Sequence, residues 1–201
     1  HRDKVRDYLQ CGACDLVFVP PGQHISTAAE KAYYDLHKNH VDDPGYRRFL
    51  DRLFTPLNTR LAPHSNGLDF GSGPGPALPA MFREAGHRVT LYDPHYAPDN
   101  LVLADPYDFI TLSEVAEHLA APGVALDKLW QCLNPGGWLA IREDHDRVHI
   151  GVLEGELKRV KEVGAAKGTE LVDPFAALRA GRPRGRGEAL FPGQHTTIES
   201  H

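Results

Sequence analysis

Glycines and carboxylates at positions suited to ligand binding stand in the middle of the chain. The stretch Gly67–Gly75 contains an acid, Asp69, followed by three glycines at alternating positions. Glycine lets a backbone turn sharply and approach a ligand closely. A second acid, Asp93, ends the next apolar segment, where a carboxylate suits the hydroxyl groups of a ribose. These residues predict an α/β unit that binds a nucleoside.

The register of the glycines separates two classes of nucleoside cofactor. The nicotinamide-dinucleotide fingerprint has a third small residue where this chain has Pro76, which counts against a pyrophosphate-binding loop. The D-x-G-x-G-x-G form of 69–75 instead resembles motif I of class I S-adenosylmethionine-dependent methyltransferases. A nicotinamide-dependent oxidoreductase stays as an alternative that tight binding of NADH would favour.

Three later segments resemble the same family in order and spacing. Asp93 resembles the ribose-binding acid after the second strand, 107–119 resembles the fourth strand with its turn, and 133–141 resembles the turn into the fifth strand. The resemblance covers residues 1–141. It implies an α/β fold with a Rossmann-like, mostly parallel sheet flanked by helices and an N-terminal helical cap.

The resemblance also implies which residues hold S-adenosylmethionine. Backbone groups around Gly71 and Gly73 would hold its amino-acid part, with Asp69 near the ammonium. Asp93 would take the ribose hydroxyls, and the end of the fourth strand would face the methionine side. The implied cofactor-binding set is Asp69, Phe70, Gly71, Ser72, Gly73, Gly75, Asp93, Pro94, Ser113, Glu114 and Tyr34.

His118 is the candidate general base, since an unperturbed imidazole titrates near the working pH. The alternative is that His118, with Glu117, caps or orients the turn after the fourth strand. Tyr34 and His37 lie three residues apart, and hence on one face of a predicted helix. They would contact the sulfonium or the substrate, because an aromatic ring near a cation is favourable. Ordinary packing against the core is the alternative.

The N-terminal segment contains a C-x-x-C pair, Cys11 and Cys14. Residues 6–20 and 34–39 resemble a bacterial subgroup of the family, in which a small cysteine-rich segment precedes the catalytic domain. A closed structural zinc site needs four ligands, and His1 and His24 are poorly spaced substitutes for a second cysteine pair. We therefore expect two thiols on a short hairpin, with zinc as the alternative.

Apolar periodicity and capping residues predict the remaining elements. Helices are expected over 28–39, after a capping-box pattern, and after Asp43 and Pro44, which suit an N-cap and a first helical position. The expected strands are 67–70, 88–93, 107–113 and 138–142, the expected helices are 76–85 and 122–133, and 94–106 is an abbreviated third unit. The predicted division is a partial cysteine-rich segment (1–22), a helical cap (23–61), a methyltransferase core (62–180) and an irregular tail (181–201).

The resemblance fades beyond Arg142. Apolar residues recur at helical intervals over 152–167, which predicts a helix, and 169–173 is a candidate sixth strand. No convincing final hairpin strand is expected. This divergence motivates a second hypothesis, a catalytically impaired binding protein on the methyltransferase fold.

Composition limits the partners and the compartment. The chain has 201 residues, 41% of them hydrophobic, and a formal net charge of −5, which suits one domain with appendages and gives no overall attraction to nucleic acid or membrane. No apolar run approaches a membrane span, and no signal-peptide pattern opens the sequence. Three cysteines make no disulfide framework, so a reducing cytoplasm is expected. We predict methyl transfer to a small-molecule acceptor and leave the oligomeric state open.

Overall fold

The N-terminal segment forms a small hairpin. A computed structural model describes residues 1–12, 16–37, 39–143, 147–154 and 157–163, and the description is confined to them. Strand β1 (Leu9–Gln10) pairs with the antiparallel strand β2 (Val17–Phe18), which confirms the predicted hairpin. Cys11 follows β1 and is half-buried, whereas Cys14 lies outside the described residues.

Two helices follow the hairpin. Helix α1 (Thr27–Tyr34) begins at Ser26, whose hydroxyl accepts a hydrogen bond from the backbone N–H of Ala29, so the cap is one residue earlier than predicted. The expected extension of this helix to 39 was wrong, because the chain leaves the helix after Tyr34 in two tight backbone turns. Helix α2 (Pro44–Asn58) has the predicted cap, since the Asp43 carboxylate accepts from the N–H of Tyr46 at 2.6 Å.

Within the described residues, the main sheet has six strands, four of which are parallel. Strand β3 (Asn66–Phe70) lies between β4 (Arg88–Tyr92) and β5 (Tyr107–Ser113), and β6 (Leu133–Glu143) pairs with the other side of β5. All three pairings are parallel. This confirms the Rossmann-like, mostly parallel sheet and places the carboxyl ends of β3, β4 and β5 at one edge.

The sheet ends in an antiparallel hairpin rather than in a helix. Strand β7 (Arg147–Glu154) pairs with β6, and β8 (Leu157–Val163) pairs with β7. The helix predicted over 152–167 was therefore wrong over its described part, and so was the expectation that no final hairpin strand would be found. Val148 and Ile150 alternate at strand period and are buried, and β7 satisfies the backbone groups along the free edge of β6. The candidate strand over 169–173 lies outside the described residues.

Helices cover both faces of the sheet. Helix α3 (Ala77–Glu84) follows β3, and α4 (Pro122–Gln131) follows β5, close to the predicted bounds. Along β5 the side chains alternate, so Ile110 and Leu112 join the core beneath α4, while Phe109 joins the core beneath α2 and α3. The buried stripe of α2 packs in this second core and consists of Leu50, Leu53 and Leu57.

The third unit is abbreviated, as expected, to a short 3-10 helix over Asn100–Ala104. Another 3-10 helix, Ala116–His118, follows β5. Within the described part of the chain, no helix combines the length and the apolar character needed to cross a membrane.

Candidate functional site

The glycine loop after β3 folds back onto the end of β4. The backbone N–H groups of Gly71 and Ser72 donate to the carbonyl of Tyr92, at 2.7 and 3.2 Å. The N–H of Gly73 donates to Oδ2 of Asp93 at 2.9 Å. Two predicted segments, distant in sequence, are thereby held together at the carboxyl edge of the sheet.

Glycine is required in this loop for two different reasons. Gly73 has a φ of +61°, which disfavours residues with a Cβ, and an added Cβ there would meet nothing within 4 Å. Its backbone therefore faces open space. An added Cβ at Gly75 would overlap the backbone carbonyl of Asn39, so Gly75 lets the segment between α1 and α2 lie directly against the loop.

Asp93 is a buried and firmly oriented acid. Its Oδ1 accepts from the backbone N–H groups of His95 and Tyr96, at 2.8 and 3.0 Å. Asp93 and Ala97 also exchange backbone hydrogen bonds in an isolated bridge. The side chain is 6% exposed, so its orientation is fixed by the turn that follows β4.

Asp69 is a second buried acid, one strand away. Burial raises the pKa of its carboxyl from 3.8 to about 7, the Asp93 charge adds to this, and a hydrogen bond from Thr111 opposes it. The hydroxyl of Thr111, itself buried, donates to Oδ1 of Asp69 at 2.5 Å. A nearby cation would favour the ionised form of this carboxyl and lower its pKa.

A small cleft opens between the glycine loop, α2 and the start of α3. Among the described residues, neither the Ser72 nor the Ser113 hydroxyl has a hydrogen-bond partner, although both oxygens are buried. Buried polar atoms without partners mark places where a polar ligand can bind. The lining consists of Tyr46, Leu50, Asp69, Gly71, Ser72, Gly75, Pro76, Ala77, Leu78, Pro79 and Ser113.

Aromatic rings gather around Tyr34 at the end of α1. Its ring centroid lies 6.0 Å from those of both His95 and His118, and 6.2 Å from that of His37. Burial raises the pKa of the Tyr34 hydroxyl, and the charges of Glu30, Asp93 and Glu117 raise it further. The hydroxyl thus stays protonated, and the predicted base His118 stands next to a neutral phenol.

The sequence interpretation missed Glu30. This side chain is almost fully buried, and its Oε1 lies 3.1 Å from Nε2 of His95, in the loop that holds Asp93. Glu30 is part of the capping-box pattern in the sequence, yet it packs inward. Its place one helical turn before Tyr34 was the available signal, since residues four apart share a helix face.

Tyr46 and Arg142 were also missed. Tyr46 lines the cleft from α2. Arg142, at the end of β6, is 1% exposed, and its guanidinium lies 3.4 Å from the centroid of the Phe49 ring. Its Nη1 is 3.2 Å from Oε1 of Glu114. An arginine that ends an apolar strand was the only sequence signal for this arrangement.

The other predicted residues have varied positions. Phe70 stacks on Tyr92 in the core, with centroids 5.2 Å apart, so its side chain faces away from the cleft. Pro94 is half-buried in the turn after Asp93. In the described ranges, no group of three or more His, Cys, Asp or Glu side chains could hold a metal ion. His24, a suggested zinc ligand, instead has its Nε2 at 2.8 Å from the Val19 carbonyl.

Comparison with known sequences identifies a family. The sequence model of a family described as a methyltransferase domain matches residues 39–185, which is more than half of the chain. No curated protein matches the sequence significantly.

Three solved structures are similar to part of the chain. The (4+2)-cyclase SpnF is 15% identical, with a TM-score of 0.37, over 60% of this chain and 61% of the cyclase. Coclaurine N-methyltransferase, bound to N-methylheliamine and SAH, is 18% identical, with a TM-score of 0.30, over 56% of this chain and 35% of that one. A SAM-dependent methyltransferase of Thermotoga maritima, described as a possible histamine N-methyltransferase, is 18% identical, with a TM-score of 0.32, over 62% of this chain and 90% of that one. This chain thus spans less than two thirds of the length of the first two structures.

Proposed function

Because the chain belongs to the methyltransferase-domain family, we propose that it transfers a methyl group from S-adenosylmethionine to a small-molecule acceptor. The observation that carries this proposal is the cleft beside the glycine loop. The cleft contains the buried hydroxyls of Ser72 and Ser113, which have no hydrogen-bond partner among the described residues, and the backbone of the adjacent Gly73 faces open space. These groups suit a polar ligand that approaches the backbone closely.

The residues present fit the two ends of this cofactor. Asp93 is a rigid acceptor for the ribose hydroxyls, since three backbone N–H groups orient its carboxylate. The turn from Pro94 to His95 would border the adenine. Asp69, Gly71 and the two serines would hold the amino-acid part, where the ionised Asp69 balances an ammonium.

The cofactor supplies an electrophilic methyl group on a sulfonium, and the protein supplies position and electrostatics. The rings of Tyr34 and His37 would border the acceptor and exclude water from it. The His118 imidazole would accept the proton that the acceptor loses. Because the Tyr34 hydroxyl keeps its proton, it can donate a hydrogen bond but does not compete with His118 as a base.

The test is calorimetric binding of S-adenosylhomocysteine to the wild type and to two site variants. We expect binding to the wild type, and affinity losses of roughly tenfold or more for both variants. Asp93→Ala removes a charged hydrogen-bond acceptor, and Gly73→Val places a side chain where the ligand would approach the backbone. Asp99→Ala is the matched control, because Asp99 lies in the same loop and only caps the short 3-10 helix. A well-folded wild type that does not bind S-adenosylhomocysteine would defeat the proposal.

The finer points form part of the same proposal. The resemblance of residues 6–20 and 34–39 supports membership of the bacterial subgroup with a cysteine-rich segment. The three cysteines, too few for a disulfide framework, support a cytoplasmic place of action. We propose that 23–61 acts as a cap over the cofactor, 62–180 as the core and 181–201 as a tail. Zinc stays disfavoured, because Cys11 and Cys14 supply two of the four ligands that a closed site needs.

A further inference from the structure

Glu114 is held in an unfavourable backbone conformation next to the cleft. Its φ is +57°, in the left-handed region that residues with a Cβ rarely adopt. It directly follows Ser113, which lines the cleft at the end of β5. Such conformations persist only where the surroundings fix them, and they concentrate at functional sites.

Arg142 fixes Glu114 through both its backbone and its side chain. The backbone N–H of Glu114 donates to the Arg142 carbonyl at 2.8 Å. The Nη1 of Arg142 lies 3.2 Å from Oε1 of Glu114. The guanidinium is immobilised in turn, since it lies over the Phe49 ring of α2 and is 1% exposed. Helix α2 and strand β6 thereby determine where the carboxylate after β5 points.

Glu114 adjoins the cleft that Asp69 lines, since it directly follows the lining residue Ser113. Tyr46 lines the cleft, and its ring stacks on that of Phe49. The charges of both acids act on its hydroxyl. Burial and the charges of Asp69 and Glu114 raise the pKa of its hydroxyl to about 12, while Arg142 opposes this rise. One carboxyl group, that of Asp69, thus lines the cleft, and a second, that of Glu114, comes directly after the lining residue Ser113. A small cation between them would favour the ionised form of both acids.

We propose that Arg142 is a positioning residue that directs the Glu114 carboxylate at the α-ammonium of the amino-acid part of the cofactor. The inference rests on the proposed function and deepens it, because it assigns the end of the cofactor that this pair recognises. Arg142 acts through Glu114, and no contact of its own with the cofactor is needed.

The experiment compares two ligands that differ in the amino-acid part. S-Adenosylhomocysteine carries the ammonium, whereas 5′-methylthioadenosine keeps the nucleoside and the sulfur but lacks it. Calorimetry is carried out on the wild type and on Glu114→Gln, Arg142→Met and Phe49→Leu. We expect each variant to bind S-adenosylhomocysteine roughly tenfold or more weakly, the size of a lost charge-assisted hydrogen bond, and to bind 5′-methylthioadenosine like the wild type.

Phe54→Leu is the matched control, because Phe54 lies on the same helix but packs on Phe82, with centroids 4.8 Å apart. It should leave both affinities unchanged. If Arg142→Met does not fold, Phe49→Leu alone tests the same link, since it removes the ring beneath the guanidinium and keeps both charges. Variants that bind both ligands equally weakly, or that bind S-adenosylhomocysteine like the wild type, would overturn the inference. A wild type that binds neither ligand would instead overturn the proposed function.

Discussion

Asp69 is the residue whose chemistry depends most strongly on its surroundings. The sequence places it at the end of a strand, but only the fold shows that its side chain is buried and accepts a hydrogen bond from a buried threonine. Its folded pKa, about 7, lies above the ordinary 3.8. The folded state therefore holds this proton more tightly than the unfolded state does, and the contribution of Asp69 to stability is lost as the pH rises towards 7.

Ligand binding should have the opposite pH dependence at Asp69. An ammonium favours the ionised carboxyl, so we expect the affinity for S-adenosylhomocysteine to fall about tenfold between about pH 8 and about pH 6. Asp69→Asn should bind more weakly and with little pH dependence, while its free energy of unfolding at about pH 8 should equal or exceed that of the wild type. Calorimetry and urea denaturation at both pH values measure the two effects.

The control for this prediction is Asp51→Asn. The Asp51 carboxyl is exposed on α2 and accepts from the Thr55 hydroxyl, so the variant should show the wild-type pH dependence. A variant Asp69→Asn whose affinity still falls tenfold towards pH 6 would show that another group is responsible.

Local patterns predicted some of these residues and missed others. The glycine loop and Asp93 were predictable because the backbone conformation and the strand end are encoded by adjacent residues. Arg142 was missed because its partners are far away in sequence: Phe49 lies on α2, and Glu114 directly follows β5. A charged side chain can be buried only where it has such partners. The spacing of neighbouring residues in the sequence does not show which distant residues these are.

At the scale of elements, α1 is anchored to the loop that follows β4. Glu30 contacts His95, and the hydroxyl of Tyr96 donates to Oδ1 of Asp35 at 2.7 Å. Lys31 lies over the Tyr96 ring at 4.8 Å. The loop that orients Asp93 is therefore the surface on which the cap helix rests, and displacement of the helix should disturb the acid.

The buried contact should contribute more to this anchor than the exposed ones. Glu30→Ala leaves the enclosed His95 ring without this partner, so we expect amide hydrogen exchange over 27–34 to accelerate by roughly 10- to 100-fold. Lys31→Ala, which removes a largely exposed pair with Asp35, should accelerate it only a few-fold. Hydrogen exchange measured by mass spectrometry compares the two variants. Equal acceleration in both would contradict the larger contribution of the buried contact.

Element types were predictable wherever one periodicity dominated. Helix α2 combined an N-cap, a proline and an unbroken apolar stripe, and all three are observed. The segment after β6 contains both helical and alternating spacings, and the free edge of β6 decides between them. An open strand edge is a tertiary property, so the strand type of β8 could not be derived from its own residues.

At the scale of the whole molecule, the parallel sheet could be predicted because its units follow one another in sequence. Strands alternating with helices leave few topologies, and the carboxyl ends of β3, β4 and β5 then meet at one edge. The two helices of the predicted cap could be derived from the sequence. Their position on the core could not, because it depends on the contact between Asn39 and Gly75, which are distant in sequence. The sheet edge that carries the glycine loop and Asp93 was thus predictable from the sequence, whereas the contact of the segment between α1 and α2 with that edge was not.

Because the site joins the cap, the loop and the sheet, occupation of the site should stabilise all three together. A ligand that binds only the folded state at about 100 times its Kd adds about 2.7 kcal/mol to the free energy of unfolding. For a chain of this length that corresponds to a rise in Tm of about 5 to 10 °C. We expect this rise with S-adenosylhomocysteine and none with NADH, whose pyrophosphate the loop with Pro76 does not suit. Differential scanning calorimetry measures the change in Tm with each ligand. A larger rise with NADH would favour the oxidoreductase alternative, because a ligand raises Tm only to the extent that it binds the folded state more tightly than the unfolded state.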